Sequence, residues 1–288
     1  MTTRLIASAI ALAIAAPAAQ ASNLISNGDF SQFAAGPGAG YTFRSSNNQY
    51  VAWTQNVIPN ANGGLILTLA SSALDSTASI NDGGASYSLW NTTTTPAGPN
   101  VITAPPSGAA TVFAQDSAAE NASYLSQTIS GLTVGGVYSV TFNWAGAQLE
   151  SSNGSSWNGA TNEAVEVNLG GTYVGGLSQS FTGGQTLFAT AGGAFSGSAA
   201  QAEANGIQVP EHGFVGWNSA TLNFTATAAN EVLNLEAISS SSGSPPFALI
   251  DNVQLNAIPE PSAWTLMLIG VAGLGAAFRR RRSTLTAA

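Results

Sequence analysis

The chain has 288 residues, with 14 Asp and Glu against six Lys and Arg, a formal charge of −8, one histidine and no cysteine. Without cysteine there is no disulfide framework and no thiol chemistry. Five of the six cations are terminal, Arg4 at the front and Arg279, Arg280, Arg281 and Arg282 at the end, so the anionic body between them lacks the Lys and Arg that phosphate contacts need, which excludes nucleic acid as a partner.

The front end reads as a secretory signal peptide over residues 1–21. Arg4 supplies the charged start, residues 5–16 the apolar stretch, and Ala19-Gln20-Ala21 the small-residue cleavage site. The mature body is residues 22–257, a length that suits one β-sandwich with generous loops. Its fixed charges are Arg44 and 13 carboxylates, the chain's 14 less Glu260.

In chain order, residues 23–30 read as a short strand entering a turn, residues 34–63 as mostly loop, residues 65–70 as an apolar strand and residues 91–108 as a long loop. From residue 110 the strand signal is clean. Tyr138, Val140, Phe142 and Trp144 alternate with Ser139, Thr141 and Asn143. Val165, Val167 and Leu169 alternate with Glu166 and Asn168, and Leu222, Phe224 and Ala226 with Asn223 and Thr225. Leu233, Leu235 and Ala237 alternate with Asn234 and Glu236. A period of two with one polar face predicts antiparallel sheets packed on one core, with the polar residues wet. No stretch of the body has a helical period, so the expected class is all-β, an antiparallel β-sandwich.

Three stretches carry a resemblance. Asn23-Leu24-Ile25-Ser26-Asn27-Gly28-Asp29-Phe30 resembles the opening strand of galactose-binding-like jelly rolls. Ser123-Tyr124-Leu125-Ser126-Gln127-Thr128-Ile129 with Gly136-Val137-Tyr138-Ser139-Val140-Thr141-Phe142 resembles their central hairpin. Ala248-Leu249-Ile250-Asp251-Asn252-Val253-Gln254-Leu255 resembles their closing strand. Carbohydrate-binding modules share that start and finish, and the resemblance implies a jelly roll that binds carbohydrate. In that branch a Glu usually follows the Phe of the opening motif; here the position is Ser31.

Three functions compete. Catalysis would use His212, which has no nucleophile elbow near it and no second histidine for a zinc site. It could also use paired carboxylates such as Glu163 with Glu166 or Glu203 with Glu211, but no carboxylate sits in a recognisable catalytic setting, so the expectation is a non-enzyme. Carbohydrate binding needs flat aromatic platforms beside amide and carboxyl groups. Trp53, Trp90 and Trp157 stand in polar stretches and are the candidates, with end-caps of the core as the alternative. A structural matrix or biofilm protein without a small ligand is the third reading, suited to a charge-poor Ser/Thr/Asn/Gly surface. Asp251 shares its strand phase with Leu249, Val253 and Leu255, which predicts a carboxylate facing the core. With protein cations nearly absent, its expected partner is a structural Ca²⁺. The resemblance implies that such an ion lies where the first and last strands meet, bringing in Asp29 or the carbonyl of Asn27. The alternative is a β-bulge that turns Asp251 outward, or backbone N–H bonds donated to it from the loop after Pro246.

Residues 258–288 stack three devices. Pro259-Glu260-Pro261 is stiff and extended because each proline fixes φ and restricts the residue before it. Residues 264–278 form an uncharged apolar run of 15, extended by its flanks into a transmembrane helix over 263–278, with Trp264 at the interface and the arginines snorkelling. Arg279, Arg280, Arg281 and Arg282 orient the C-terminus to the cytoplasm. The order resembles the PEP-CTERM sorting signal in its PEPxxWA form, with Thr265 where Ala is usual. The resemblance implies recognition and processing by a membrane-embedded exosortase, hence a protein exported to the cell surface or extracellular space after transient anchoring in the inner membrane; extracellular polysaccharide is the partner expected of a carbohydrate-binding body.

Overall fold

The computed structural model describes residues 22–33, 42–43, 50–56, 66–71, 74–75, 80–82, 85–92, 97–116, 123–150, 158–174, 181–239, 246–259 and 267–275. With strands numbered in chain order, one sheet holds, from edge to edge, β1 (Thr42–Phe43), β3 (Ile66–Ala70), β6 (Thr111–Asp116), β17 (Pro246–Ala257), β8 (Val137–Glu150), β5 (Ala85–Leu89) and β4 (Ile80–Asp82). Strand β15 (Val215–Thr225) also pairs with β8. The second sheet holds β13 (Gly193–Phe195), β12 (Gln185–Thr190), β9 (Thr161–Leu169), β16 (Asn230–Ser239), β7 (Tyr124–Ser130) and β2 (Thr54–Asn56), with β14 (Ile207–Val209) also on β9. A two-stranded ribbon, β10 (Thr172–Tyr173) with β11 (Phe181–Thr182), and one short helix, α1 (Ala199–Ala204), complete the body. From β6 to β9 the chain changes sheet at every strand, and it does so again from β15 to β17. The result is an antiparallel jelly-roll sandwich, the expected class.

The alternating residues explain the layers. Val140, Phe142, Trp144, Val165, Val167, Leu222, Phe224, Leu233 and Leu235 are all buried in one cluster between the sheets. A second cluster, with Leu69, Val112, Ala145, Ala147, Leu149 and Leu249, lies on the other face of the first sheet. A third packs α1 through Ala199 and Ala202 against Ala164, Phe188 and Ile238 on the second sheet. Both sheets are therefore partly covered on their outer faces.

Four expectations change. Residues 23–30 are not a strand: they run as bends and turns along β17, with the Leu24 amide donating to the Leu255 carbonyl at 2.9 Å and the Val253 amide to the Gly28 carbonyl at 2.8 Å. Gly28 is required there, because a Cβ would lie 1.9 Å from the Val253 carbonyl oxygen. The stretches taken as a central hairpin, β7 and β8, lie in opposite sheets, since the turn between them crosses the core rather than doubling back. A helix does form, α1. Ser198 caps it and Gln201 returns a bond to the cap, a capping box that compensates for its six-residue length. Finally, the polar faces of β9 and β16 are not wet: Glu166, Asn168, Asn234 and Glu236 are buried.

The closing strand carries the predicted carboxylate with a twist. Its pairing with β8 breaks between Asp251 and Gln254, and Asn252 takes a left-handed φ of 55°. This bulge flips the side-chain phase. Ala248, Ile250, Val253 and Leu255 face the inter-sheet core, while Leu249 faces the second cluster. Asp251 shares the Leu249 phase, so it points away from the main core; it is nevertheless fully buried.

Candidate functional site

The alternation that sends Val165, Val167, Leu233 and Leu235 inward sends Glu166, Asn168, Asn234 and Glu236 to the outer face of the second sheet. Strand register then lines them up. Phe188, Glu166 and Glu236 face one another across β12, β9 and β16. One step further along β7, Tyr124 falls beside Glu236 and pairs with Asn56 of β2. The next row runs Thr186, Asn168, Asn234, Ser126 and Thr54. Adjacent strands stand about 4.8 Å apart, so each row is an extended array of polar groups.

These groups are interlocked. The Asn234 amide nitrogen donates to Asn168 Oδ1 at 3.3 Å, and Asn168 Nδ2 donates to Thr186 Oγ1 at 2.9 Å and to the Gly183 carbonyl at 3.2 Å. The Gly171 amide donates to Asn168 Oδ1 at 2.8 Å, and Asn56 Nδ2 to Ser126 Oγ at 3.0 Å. Burial raises the Tyr124 phenol above its ordinary pKa, and the Glu236 carboxylate raises it further.

Beside the rows, the β9–β12 hairpin continues into β10 and β11. Gln185 pairs with Leu169 and Thr182 with Thr172, so the register runs on unbroken from β9 and β12 into β10 and β11. Between them, Gly170-Gly171 stands opposite Gly183-Gly184, with left-handed φ of 83°, 72° and 63° at Gly170, Gly183 and Gly184. Beyond these glycines, Tyr173 of β10 and Phe181 of β11 meet Tyr124 of β7. Tyr173 stacks on Tyr124 with centroids 4.6 Å apart and planes at 21°; Phe181 meets both rings edge-on, at 5.4 and 5.5 Å. Tyr124 and Tyr173 stay partly exposed, whereas Phe181 is buried.

The predicted aromatic platforms are placed elsewhere. Trp53 is 2% exposed, its ring 5.6 Å from Phe30 and its Nε1 donating to the Asn27 carbonyl at 3.0 Å. Trp90 is also 2% exposed and stacks on His212 at 3.7 Å. Neither offers an open face to a sugar; both fill the body, as the end-cap alternative had it. Trp157 lies outside the described residues. His212 holds a left-handed φ of 59°; its amide donates to Gln148 at 2.7 Å and its Nε2 lies 2.9 Å from Asn158 Oδ1. These contacts make it a packing residue. Glu163 and Glu166 sit on opposite faces of β9: Gly146, across the core, would place a Cβ 2.9 Å from Glu163 Oε2, while Glu166 faces outward. Glu203 and Glu211 lie on different elements, α1 and the turn before β15.

Of the predicted metal ligands, Asp251 and Asp29 lie close enough that Asp29 perturbs Asp251. Burial raises the Asp251 carboxyl above the ordinary carboxylate range and Asp29 adds to this; the Ser107 hydroxyl, which donates to Asp251 Oδ2, and the Asn252 amide offset part of it. Asp251 Oδ1 is buried without a donor in hydrogen-bond geometry. The Asn27 carbonyl is engaged by the Trp53 indole and the Phe30 amide, and its side chain ties Gln32 and Val51, so it organises the turn. Among the described residues no group of three or more His, Cys, Asp or Glu could hold a metal.

At the C-terminus, β17 ends at Ala257, the Ile258 amide donates to the Val137 carbonyl at 2.8 Å, and Pro259 is exposed. Glu260, Pro261, Trp264, Arg279, Arg280, Arg281 and Arg282 lie outside the described residues. Residues 267–275 are helical and exposed, and among the described residues no helix is long and apolar enough to cross a membrane.

Residues 257–282 match the PEP-CTERM protein-sorting motif. No curated protein matches the sequence. Among solved structures, the body is similar to TmCBM61, solved in complex with β-1,4-galactotriose, at 13% identity over 82% of this chain and 99% of that one, with a TM-score of 0.37. It is similar to a CBM4 structure at 12% identity over 81% and 99%, TM-score 0.31. It is also similar to the CBM22-1 xylan-binding domain of Paenibacillus barcinonensis Xyn10C at 11% over 69% and 99%, TM-score 0.28. At these values no residue of this chain acquires a role from those structures.

Proposed function

We propose that this is a surface protein sorted through its C-terminal tail by an exosortase, and that its body binds carbohydrate, an exopolysaccharide of the extracellular matrix, on the outer face of the second sheet. One observation carries the binding: two rows of carboxyl, amide and hydroxyl groups beside partly exposed tyrosines. A pyranose lays its apolar face on the partly exposed rings, while Glu166, Asn168, Asn234 and Glu236 lie buried beside them. The site differs from the tryptophans expected in sequence, but the chemistry is the same. Calorimetric titration of the purified full-length protein with a panel of soluble neutral polysaccharides tests it. At least one should bind, and Tyr124→Ala should weaken that binding about tenfold, equivalent to ~1.4 kcal/mol. A protein that binds none of the panel, or binds equally well with Tyr124→Ala and Glu236→Gln together, has no sugar site here and is the structural matrix protein of the alternative reading.

A structural cation, Ca²⁺, at Asp251 is a second proposal, favoured by the buried, donor-free Oδ1 beside a second carboxylate. Asp251 and Asp29 would hold it, with the rest of its shell from backbone carbonyls and water. The opposing possibility is a proton. An acid whose pKa is raised on folding gives stability that is present below its unfolded value and lost as pH rises through the folded one. Ca²⁺ at 100 times its dissociation constant should therefore add about 2.7 kcal/mol to the thermal stability of the wild type at pH 7 and nothing to Asp251→Asn. If chelator leaves the wild type unchanged and Asp251→Asn is the more stable protein above about pH 5, the carboxyl is held by a proton.

A further inference from the structure

The tail leaves the body at one end of the sandwich, and the chemistry of that end differs from the rest. We propose that it is a membrane-docking face: while the tail anchors the chain, the turns at residues 131–136 and 226–229, with the exposed Val134, Val137 and Ile258, rest on the lipid surface of the same bilayer. This rests on the anchoring that the sorting motif implies and is independent of the carbohydrate reading.

The topology gathers these residues. β7 ends at Ser130 and β8 begins at Val137; β15 ends at Thr225 and β16 begins at Asn230; β17 ends at Ala257. Pairing puts these termini at one end, with Val137 opposite Thr225, Tyr138 opposite Ala257 and Ser130 opposite Asn230. Backbone bonds then fuse the connections. The Leu132 amide donates to the Ala229 carbonyl at 3.0 Å, the Gly135 amide to the Ala226 carbonyl at 2.8 Å, and the Ala226 amide to the Gly136 carbonyl at 2.9 Å. The Ile258 amide joins the same group through the Val137 carbonyl. Gly135, with a φ of 82°, completes a tight turn closed by the Gly136 amide on the Thr133 carbonyl, and Val134 stands at its tip. The face is therefore a fixed part of the fold, and the tail departs from within it.

Its surface is apolar and uncharged in an acidic protein. Val134 is 64% exposed, and Val137 and Ile258 are each 37% exposed. Single exposed apolar residues are ordinary, but these sit on directly bonded segments around the exit of an anchor, and the turn needs no apolar side chain where Val134 stands. Neither turn holds a carboxylate, and nor do residues 257–259. The acid at the margin, Glu231, is buried, with Oε1 accepting from the Thr227 and Ala228 amides at 2.9 and 3.1 Å. Asp116, Glu150 and Glu211 fall at the opposite end, where β6 and β8 stop and the chain approaches β15. β8 has 14 residues, so that end is about 45 Å away. Pressing carboxylates against lipid costs their hydration, and the tail's end of the sandwich has none to lose.

Chain length brings the face to the membrane. The apolar run begins at Trp264, six residues after Ile258, and six residues reach about 20 Å at most. An anchored chain thus keeps this end near the bilayer interface, at less than half the length of β8. So short a tether gives an effective concentration on the order of millimolar. A contact too weak to recruit a free protein therefore forms once the tail is in place. Valine and isoleucine enter the interfacial layer without leaving a polar group unpaired. Cutting the tail removes the tether, so docking belongs to the anchored form and the processed body is free to leave.

The chain has no cysteine, so a single one can carry an environment-sensitive fluorophore, either as Val134→Cys or as Ala191→Cys, an exposed position in the turn after β12 toward the far end. Each labelled full-length protein is reconstituted in phosphatidylcholine vesicles with and without lipid spin-labelled at the headgroup. Spin-labelled lipid should quench Val134→Cys at least threefold more than Ala191→Cys, and adding Val137→Glu should at least halve that difference. Equal quenching at the two positions, in protein that floats with the vesicles, overturns the docking and leaves the anchoring intact. A difference that ignores Val137→Glu comes from the tether alone and overturns the docking too. Quenching at Val134→Cys that appears only when exosortase is reconstituted alongside assigns the face to that enzyme and not to lipid. Protein that does not float with the vesicles overturns both the docking and the anchoring on which it rests.

Discussion

Replacing Phe30 with alanine is expected to cost about 3–5 kcal/mol, the range for emptying a fully buried aromatic site. Phe30 is wholly buried and sits among Tyr50, Trp53 and Phe113, with ring centroids at 5.2, 5.6 and 5.4 Å. With Phe30 these rings come from three separate places in the chain, so one side chain joins the opening segment, the edge of the second sheet and β6. Its backbone is committed too: Phe30 holds a left-handed φ of 52°, and its carbonyl accepts from Thr111 Oγ1 at 2.9 Å. A bulky residue kept in that conformation costs energy of its own, which makes the packing gain the reason it is there. Alanine would leave a cavity lined by large rings that cannot collapse into it. Equilibrium unfolding in urea should show the loss, with a melting temperature lower by about 10 °C. A change below about 1 kcal/mol would mean that the opening segment is not part of the cooperative core.

The second large effect is all or none. Replacing Pro259, Glu260 and Pro261 with alanines is expected to stop release of the tail and leave the whole chain in the membrane fraction. The sorting match begins at residue 257, where β17 ends; the last bond into the sandwich is from the Ile258 amide, and Pro259 is already exposed. A cut beyond this point therefore takes nothing from the core. Each proline fixes its own φ and restricts the residue before it, and alanines remove both constraints. Immunoblotting of membrane and surface fractions reads the result. Tail-less protein produced at the normal rate by the alanine variant would remove the motif from the sorting step. The melting temperature of the body should not move, which separates this effect from misfolding.

Much of this was legible because it is local. Tyr138, Val140, Phe142 and Trp144 can share a face only in a strand, so period two gave the class of fold. The tail motif is a run of neighbours whose chemistry does not depend on the fold. The site was harder. Glu166, Asn168, Asn234 and Glu236 were visible as polar residues, and the same alternation argued that they were wet. Nothing local says that Gly170-Gly171 will stand opposite Gly183-Gly184 or that Tyr173 will stack on Tyr124. Trp53 and Trp90 misled for the converse reason: polar neighbours in sequence do not reveal which loop closes over a ring.

The sequence by itself determined the sorting motif near its end and the two-faced strands of its body, since each is read from residues a few positions apart. Tertiary structure alone decided which polar residues meet. Row membership depends on the register between strands some 70 residues apart, as for Glu166 and Glu236. The phase of Asp251 depends on a one-residue bulge that the pattern cannot show, because an extra residue in a strand exchanges its two faces without changing its composition.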